Sequence, residues 1–356
     1  MTVTALRRSD VLARIGLDVD AVLLTKLVNV RYLTGFTGSN GALLLRRDGA
    51  SVLATDGRYQ EQARAQAPDV ELIDTRMLGP DLVSAAVRAG GRRVAIERHH
   101  VTLAAYDLLL AAADGAELVG AGEVVEGLRV RKDDEEIAAL QQACAITDRA
   151  FAAVLEHLRP GITEREVAWQ LLSAMRADGA ESAAFETIVA FGPHSAIPHH
   201  RPTDRVLERG DLVKLDFGAR AGGYHSDMTR TVVCGPAAEW QRELHAQVLE
   251  VQQQCSAATV VGAVPVELDR LARRLIAGHG NDLVHGLGHG VGLEVHEQPF
   301  LGPLSGAARL EDRVPVTVEP GIYLPGRGGV RIEDTVLVGP QGAHPLTTSP
   351  RDLIET

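Results

Sequence analysis

A short pattern occurs twice in this chain and limits its architecture more than any other feature. Val213-Lys214-Leu215-Asp216-Phe217-Gly218 is followed by Gly222-Gly223 and Ser226-Asp227-Met228-Thr229. Val316-Thr317-Val318-Glu319-Pro320-Gly321 is followed by Gly328-Gly329 and Ile332-Glu333-Asp334-Thr335. Each copy reads as an alternating apolar strand ending in a carboxylate and a glycine, a glycine-rich turn, and a returning strand with a second carboxylate. Helical spacing surrounds the copies. Asp133 to Leu158 has an acidic first turn suited to the positive helix N-terminus, and Thr163-Glu164-Arg165-Glu166 is a capping box for a helix to about Asp178. Ala238 to Ala257 and a segment with Pro265 near its start and Gly278 near its end supply two more helices. The order helix, helix, hairpin, helix, helix, hairpin is an internal duplication. It predicts two half-units about a pseudo-twofold axis, with strands converging at the centre.

Upstream, strand and helix signals alternate, which argues an α/β domain ending near residue 125 and a second domain over 126–356, joined around Val125 to Lys132. Ala21 to Leu24 reads as a strand, and Asn29 to Phe36 leads into a loop rich in Gly, Ser and Asn. Gly41 to Leu45 and Ser51 to Thr55 read as paired strands with Asp48-Gly49 as the turn. Asp56 is expected to cap a helix over Tyr59 to Ala67. Val70 to Ile73 and Arg93 to Ile96 are further strands, and Asp81 to Ala89 and Leu103 to Ala113 are helical.

Composition narrows the function. The 356 residues, 45% apolar, suffice for two cores. No run approaches the roughly 18 uncharged apolar residues of a membrane helix. The first residues lack an apolar signal core, and Cys144, Cys234 and Cys255 form no CxxC pair. A cytoplasmic protein with reduced thiols is expected. A net charge of −11 argues against a nucleic-acid footprint.

The duplicated carboxylates, with His289 of His285-Gly286-Leu287-Gly288-His289-Gly290 between them, point to metal chemistry. Asp216, Asp227, Glu319 and Glu333 in one pocket would repel one another and resist ionisation without a cation. Oxygen-rich surroundings with a single imidazole favour Mn²⁺ or Co²⁺ and admit Zn²⁺. Two such ions roughly 3.5–4 Å apart suit hydrolysis. Against this, a lone acid after a strand is more often a turn residue or a solvated end, and Asp334 beside Glu333 reads as solvent-facing. The repetition outweighs that reading, and the glycines flanking His289 give the backbone room for a ligand.

In combination with Ser195-Ala196-Ile197-Pro198-His199, Tyr224 to Thr231 and Arg331-Ile332-Glu333-Asp334, these motifs resemble the pita-bread metallopeptidases, which include aminopeptidase P, prolidase and methionine aminopeptidase. Arg31 to Phe36 and Thr55 to Tyr59 are similar to the two-domain Xaa-Pro branch, with its creatinase-like N-terminal domain. The resemblance implies a dinuclear peptidase that cleaves the Xaa-Pro bond of dipeptides or short peptides through a metal-bridging hydroxide. It implies that Asp216 chelates one ion, His289 and Glu319 the other, and that Asp227 and Glu333 bridge both. Glu319 would carry the water's proton, His199 and His296 would hold substrate and stabilise the oxyanion, and His285, Tyr323 and Arg331 would line the proline pocket, Arg331 pairing with Asp216. His200 and His225 take supporting roles. A homodimer is implied, with proline-containing peptides as partners. His194 stands where many relatives have Asn, which puts support of the His199 loop in question. The alternatives are an aminopeptidase of non-proline specificity, a metal-free creatinase-like hydrolase and a catalytically silent binding module.

Overall fold

In the computed structural model, which describes residues 2–306 and 308–356, the chain separates into a unit ending at Arg129 and a unit Val130–Thr356. In the first unit the uncharged run Ala21–Leu24 is buried throughout. It pairs antiparallel with Ala42–Arg46 and parallel with Arg93–Ile96, in the middle of a six-stranded sheet. The expected hairpin sets Ala42 opposite Ala54 and Leu45 opposite Ser51, and Gly49 turns it with a φ of 92° that costs glycine little. Two elements escaped the sequence pattern. Asn29 to Phe36, which the pattern assigns to no element, falls largely within the helix Leu27–Thr34, and Glu117–Gly120, half Glu and Gly, is an edge strand.

Asp56 does not cap the helix that follows. That helix, Gln60–Gln66, begins after Tyr59 with no side-chain cap. The Asp56 carboxylate instead accepts from Asn40 Nδ2 at 2.6 Å and from the backbone and guanidinium of Arg58, closing the turn before the helix.

In the second unit Thr163 and Glu166 cap Glu164–Ala177 as expected, and Asp133, read as the first residue of an acidic helix start, is with Glu136 the cap of Asp134–Leu155. The helices Glu239–Ala258 and Pro265–Gly278 follow. Each helix pair covers its own antiparallel sheet. The first sheet is Met228–Val233, Leu212–Phe217, Ile188–Phe191; the second is Glu297–Leu301, Gly288–Gly290, Pro315–Val318, Asp334–Gly339, Gly342–Pro345. Two apolar cores result, one around Phe151, Leu171 and Phe217, the other around Val248, Ile276 and Val316. Each such side chain contributes about 1.5–3 kcal/mol through burial. The halves meet where the Glu333 amide donates to the Thr229 carbonyl at 3.0 Å and the Arg331 amide to the Thr231 hydroxyl at 3.2 Å. No helix among the described residues is long and apolar enough to cross a membrane.

The two hairpins are not identical. In the first, Asp216 lies opposite Thr229; in the second, Thr335 lies opposite Thr317, so the equivalent pairing is offset by two residues. An even offset keeps every side chain on its face. The second turn also differs from expectation. Gly326, with φ 75°, makes it, while Gly328 and Gly329 open the returning strand Gly328–Arg331. Gly329 is there for space: a methyl group would come within 2.7 Å of the Ser195 carbonyl oxygen.

Candidate active site

The carboxylates sit where strands stop. Asp216 is near the end of Leu212–Phe217 and Asp227 precedes Met228–Val233. Glu319 lies between Pro315–Val318 and Gly321–Leu324, and Glu333 between Gly328–Arg331 and Asp334–Gly339. His289 is the middle residue of Gly288–Gly290. Glycine is required on both sides of it, because a Cβ would fall 2.0 Å from the Thr317 carbonyl oxygen at Gly288 and 2.2 Å from that of Gln298 at Gly290. The close approach brings ligand atoms of Asp227, His289 and Glu333 within 4.8 Å of one another. Nε2 of His289 is 3.6 Å from an Asp227 oxygen and 3.4 Å from one of Glu319.

Protonation follows from burial. Nδ1 of His289 lies 3.0 Å from the Gly290 carbonyl oxygen, which can only accept, so Nδ1 carries the proton and the Nε2 lone pair faces the carboxylates. Burial, reinforced by His296, pushes the His289 pKa down to about 4, and the ring is neutral near pH 7. Burial and then the charge of Asp216 push Glu319 up to about 8. Burial, with Asp216 and Glu319 beside it, raises Asp227 well above the carboxylate range; burial, with Asp227 foremost among its neighbours, does the same to Glu333. Asp216 Oδ2 pairs with Arg331, while its buried Oδ1 has no hydrogen-bond partner among the described residues. Divalent cations fit this set: a neutral imidazole with its lone pair turned inward, four converging carboxylates of which Asp227, Glu319 and Glu333 are pushed toward their protonated forms for want of positive charge, and one orphaned buried oxygen.

Behind the carboxylates runs a chain of polar contacts. Arg331, 2% exposed, meets Asp216, donates to the Tyr323 hydroxyl at 2.7 Å and to the Thr229 hydroxyl at 3.0 Å. The Tyr323 hydroxyl is 2.9 Å from His285 Nε2, whose ring is kept neutral by burial and by the Arg331 charge. A cavity of about 930 Å³ opens in front. Asp216, Asp227, His289, Glu319, Glu333, His199, His296, His285 and Arg331 line it; Tyr323 is not among its lining residues and reaches it only through His285 and Arg331. His199 and His296 are both exposed in it, and burial together with His199 lowers the pKa of His296.

Asp334 is not solvent-facing. It is 0% exposed and accepts from Arg230 at 2.7 Å, Gln252 at 2.8 Å and Thr347 at 2.9 Å, and it also pairs with Arg351. The net anchors the residue beside Glu333. His225 Nδ1 bonds the Gly292 carbonyl at 2.9 Å, and His200 bonds Glu164 at 2.8 Å.

Several residues at the site escaped the sequence reading. Thr229 donates to Glu333 at 2.7 Å, and Thr317 to Glu319 at 3.3 Å. The acid-x-Thr return of both repeats was the available signal for Thr229. Lys214, buried beside Arg331, has its pKa pushed down to about 6 by burial first and that positive charge second. Nothing in its strand pattern distinguishes it from an ordinary solvent-facing lysine.

Residues 138–340 match the model of metallopeptidase family M24, and residues 11–131 match the creatinase/prolidase N-terminal domain. An uncharacterized peptidase of Bacillus subtilis is 42% identical over 344 residues, 95% of this chain and 96% of that protein. The structure of an Xaa-Pro dipeptidase from Bacillus anthracis superposes with a TM-score of 0.95 at 38% identity, covering 99% of this chain and 100% of the other. That of an X-Pro aminopeptidase from Thermotoga maritima gives 0.88 at 36% identity, covering 95% and 96%.

Proposed function

Given that this chain belongs to metallopeptidase family M24 and carries a creatinase/prolidase N-terminal domain, we propose that it is a metal-dependent exopeptidase that cleaves the Xaa-Pro bond of dipeptides or short peptides. One observation carries the reading. The buried carboxylates of two repeated hairpins converge with a neutral imidazole at the wall of a single cavity. Asp216, Asp227, His289, Glu319 and Glu333 would hold two divalent ions, Asp227 and Glu333 shared between them. Mn²⁺ or Co²⁺ suits this oxygen-rich set best and Zn²⁺ is admitted. When bound, the ions supply Lewis-acid activation of water at neutral pH.

The chain's own residues do the rest. Glu319, whose side chain is 18% exposed at the cavity wall, takes a proton from the attacking water and returns it to the departing amine. His199 and His296 reach into the cavity from different halves and donate to the oxygen where charge develops. His285 and Arg331 form a fixed wall for a ring that carries no N–H, with Tyr323 holding both in place from behind. Arg331 also pairs with Asp216 and holds that carboxylate in place for a cation. The reading extends to a cytoplasmic homodimer; the three buried, unpaired thiols suit the first part.

Hydrolysis of Ala-Pro, Ala-Pro-Ala and Ala-Ala-Ala by the purified chain, with Mn²⁺, Co²⁺ or chelator, tests this. Metal-dependent cleavage of a proline peptide, and not of Ala-Ala-Ala, is expected. Turnover of the dipeptide alone makes the enzyme a dipeptidase; preference for the tripeptide makes it an aminopeptidase. Cleavage of Ala-Ala-Ala at equal rate would contradict proline selectivity.

A further inference from the structure

One buried carboxylate that the proposed reaction does not use ties down the loop carrying His199. Glu164 opens the helix Glu164–Ala177 and is 0% exposed. Its Oε1 accepts from the Phe191 amide at 2.9 Å and from Nδ1 of His194 at 2.9 Å. Its Oε2 accepts from Nε2 of His200 at 2.8 Å, the Thr203 amide at 2.9 Å and the Thr203 hydroxyl at 2.6 Å. All these donors lie on the stretch Phe191–Thr203, and they bracket His199 on both sides. A carboxylate only accepts, so both ring nitrogens facing it carry their protons. His194, which stands where the resemblance leads to Asn, is thus one of the anchors and not a defect in the loop.

The same stretch is pinned from its other side. The Gly329 amide donates to the Ser195 hydroxyl at 2.9 Å, which in turn donates to the Gly192 carbonyl. Lys214 Nζ donates to the carbonyls of Ile197 at 2.6 Å and Pro198 at 3.2 Å, the two residues before His199. Between these clamps His199 is left free to face the cavity. Removing Glu164 would leave five donors without their acceptor and release one side of the clamp.

We propose that Glu164 is a positioning residue: it fixes the Phe191–Thr203 stretch and thereby aims His199 at the substrate. The inference rests on the activity proposed above. The trio Glu164, His194 and His200 could also hold a cation; the amide and hydroxyl donors already on both Glu164 oxygens favour the anchor.

The test uses the full, metal-loaded chain and an Xaa-Pro substrate with Glu164→Gln, Glu164→Ala, His199→Ala and the Glu164→Ala/His199→Ala double variant. Glu164→Ala is expected to lower kcat by about 10²-fold, approaching His199→Ala, with KM and the content of catalytic metal little changed. The double variant is expected to be no slower than His199→Ala alone, because one residue acts through the other. Glu164→Gln keeps one acceptor oxygen and is expected to fall between. If Glu164→Ala does not fold, Glu164→Gln and Thr203→Val, each crossed with His199→Ala, carry the same comparison. Additive losses, an unimpaired Glu164→Ala, or a third bound cation lost in His194→Ala would overturn the inference. A wild-type chain silent on every Xaa-Pro peptide would sink the activity instead. Amide exchange over residues 192–202 then decides the anchor: faster exchange confined to that loop in Glu164→Gln supports it, and unchanged exchange overturns it.

Discussion

The first and second hairpins carry the same design into different electrostatic surroundings. Asp216 of the first is paired with Arg331, a guanidinium 2% exposed. Glu319 of the second, its counterpart in the repeat, meets the Thr317 hydroxyl at 3.3 Å and His289 at 3.4 Å, and burial, partly offset by the more distant Arg331 charge, pushes it up to about 8. The return strands differ too, since Asp216 faces Thr229 across its ladder while Thr335 faces Thr317. Duplication supplied the geometry, and on the proposed reading departures from symmetry divide the labour. A carboxylate anchored by arginine suits a permanent ligand. One without that anchor, partly open to the cavity, suits a proton carrier.

The sharpest way to break the comparison is at a residue both ions would share. Asp227→Asn is expected to lower kcat/KM on the order of 10³-fold or more and to reduce bound metal while the circular dichroism spectrum is kept; near-normal turnover would count against sharing. Next come the two exposed histidines, one from each half. His296→Ala is expected to cost roughly 10²–10³ in kcat with little change in KM, and a change confined to KM would remove it from charge stabilisation. Smaller again is Arg331→Met, which removes the paired cation from Asp216. A loss of about 10–100-fold in metal affinity by calorimetric titration is expected, and unaltered affinity would show that the arginine does not set the difference.

The smallest effect is on stability. In metal-free protein the folded state holds the Glu319 proton up to about pH 8, whereas the unfolded chain releases it near 4.5. The folded state therefore binds more protons across that window, and its stability falls as pH rises through it. Cations replace those protons, so the Tm gap between metal-loaded and chelated protein is expected to widen from pH 5 to 8. A gap independent of pH would contradict the raised carboxylates.

The four carboxylates among the five proposed ligands were legible because they recur. Asp216, Asp227, Glu319 and Glu333 stand at matching places in two copies of one pattern, and His289 sits among glycines that had to serve a close approach. Helix starts were legible where the capping chemistry is local, as at Asp133 and Thr163. Readings failed where a distant partner decides. Asp56 looks like a cap until Asn40 and Arg58 claim it, and Asp334 looks exposed until Arg230, Gln252 and Arg351 surround it. Glu164 is hidden more thoroughly, since Thr163-Glu164-Arg165-Glu166 accounts for it as a helix start while its carboxylate reaches residues 27 to 39 positions along the chain. Gly328 and Gly329 resemble a turn because composition alone does not separate a φ requirement from a space requirement.

The central claim is that the two hairpins make one two-ion site on which turnover depends. Metal bound per chain, measured by elemental analysis while activity on an Xaa-Pro peptide is followed as Mn²⁺ or Co²⁺ is added back to chelated protein, tests it most directly. Two ions per chain, with activity appearing as the site fills and lost together with metal in Asp227→Asn, is the expected result. Full activity in chelated protein, or ions that survive Asp227→Asn with turnover intact, would contradict it.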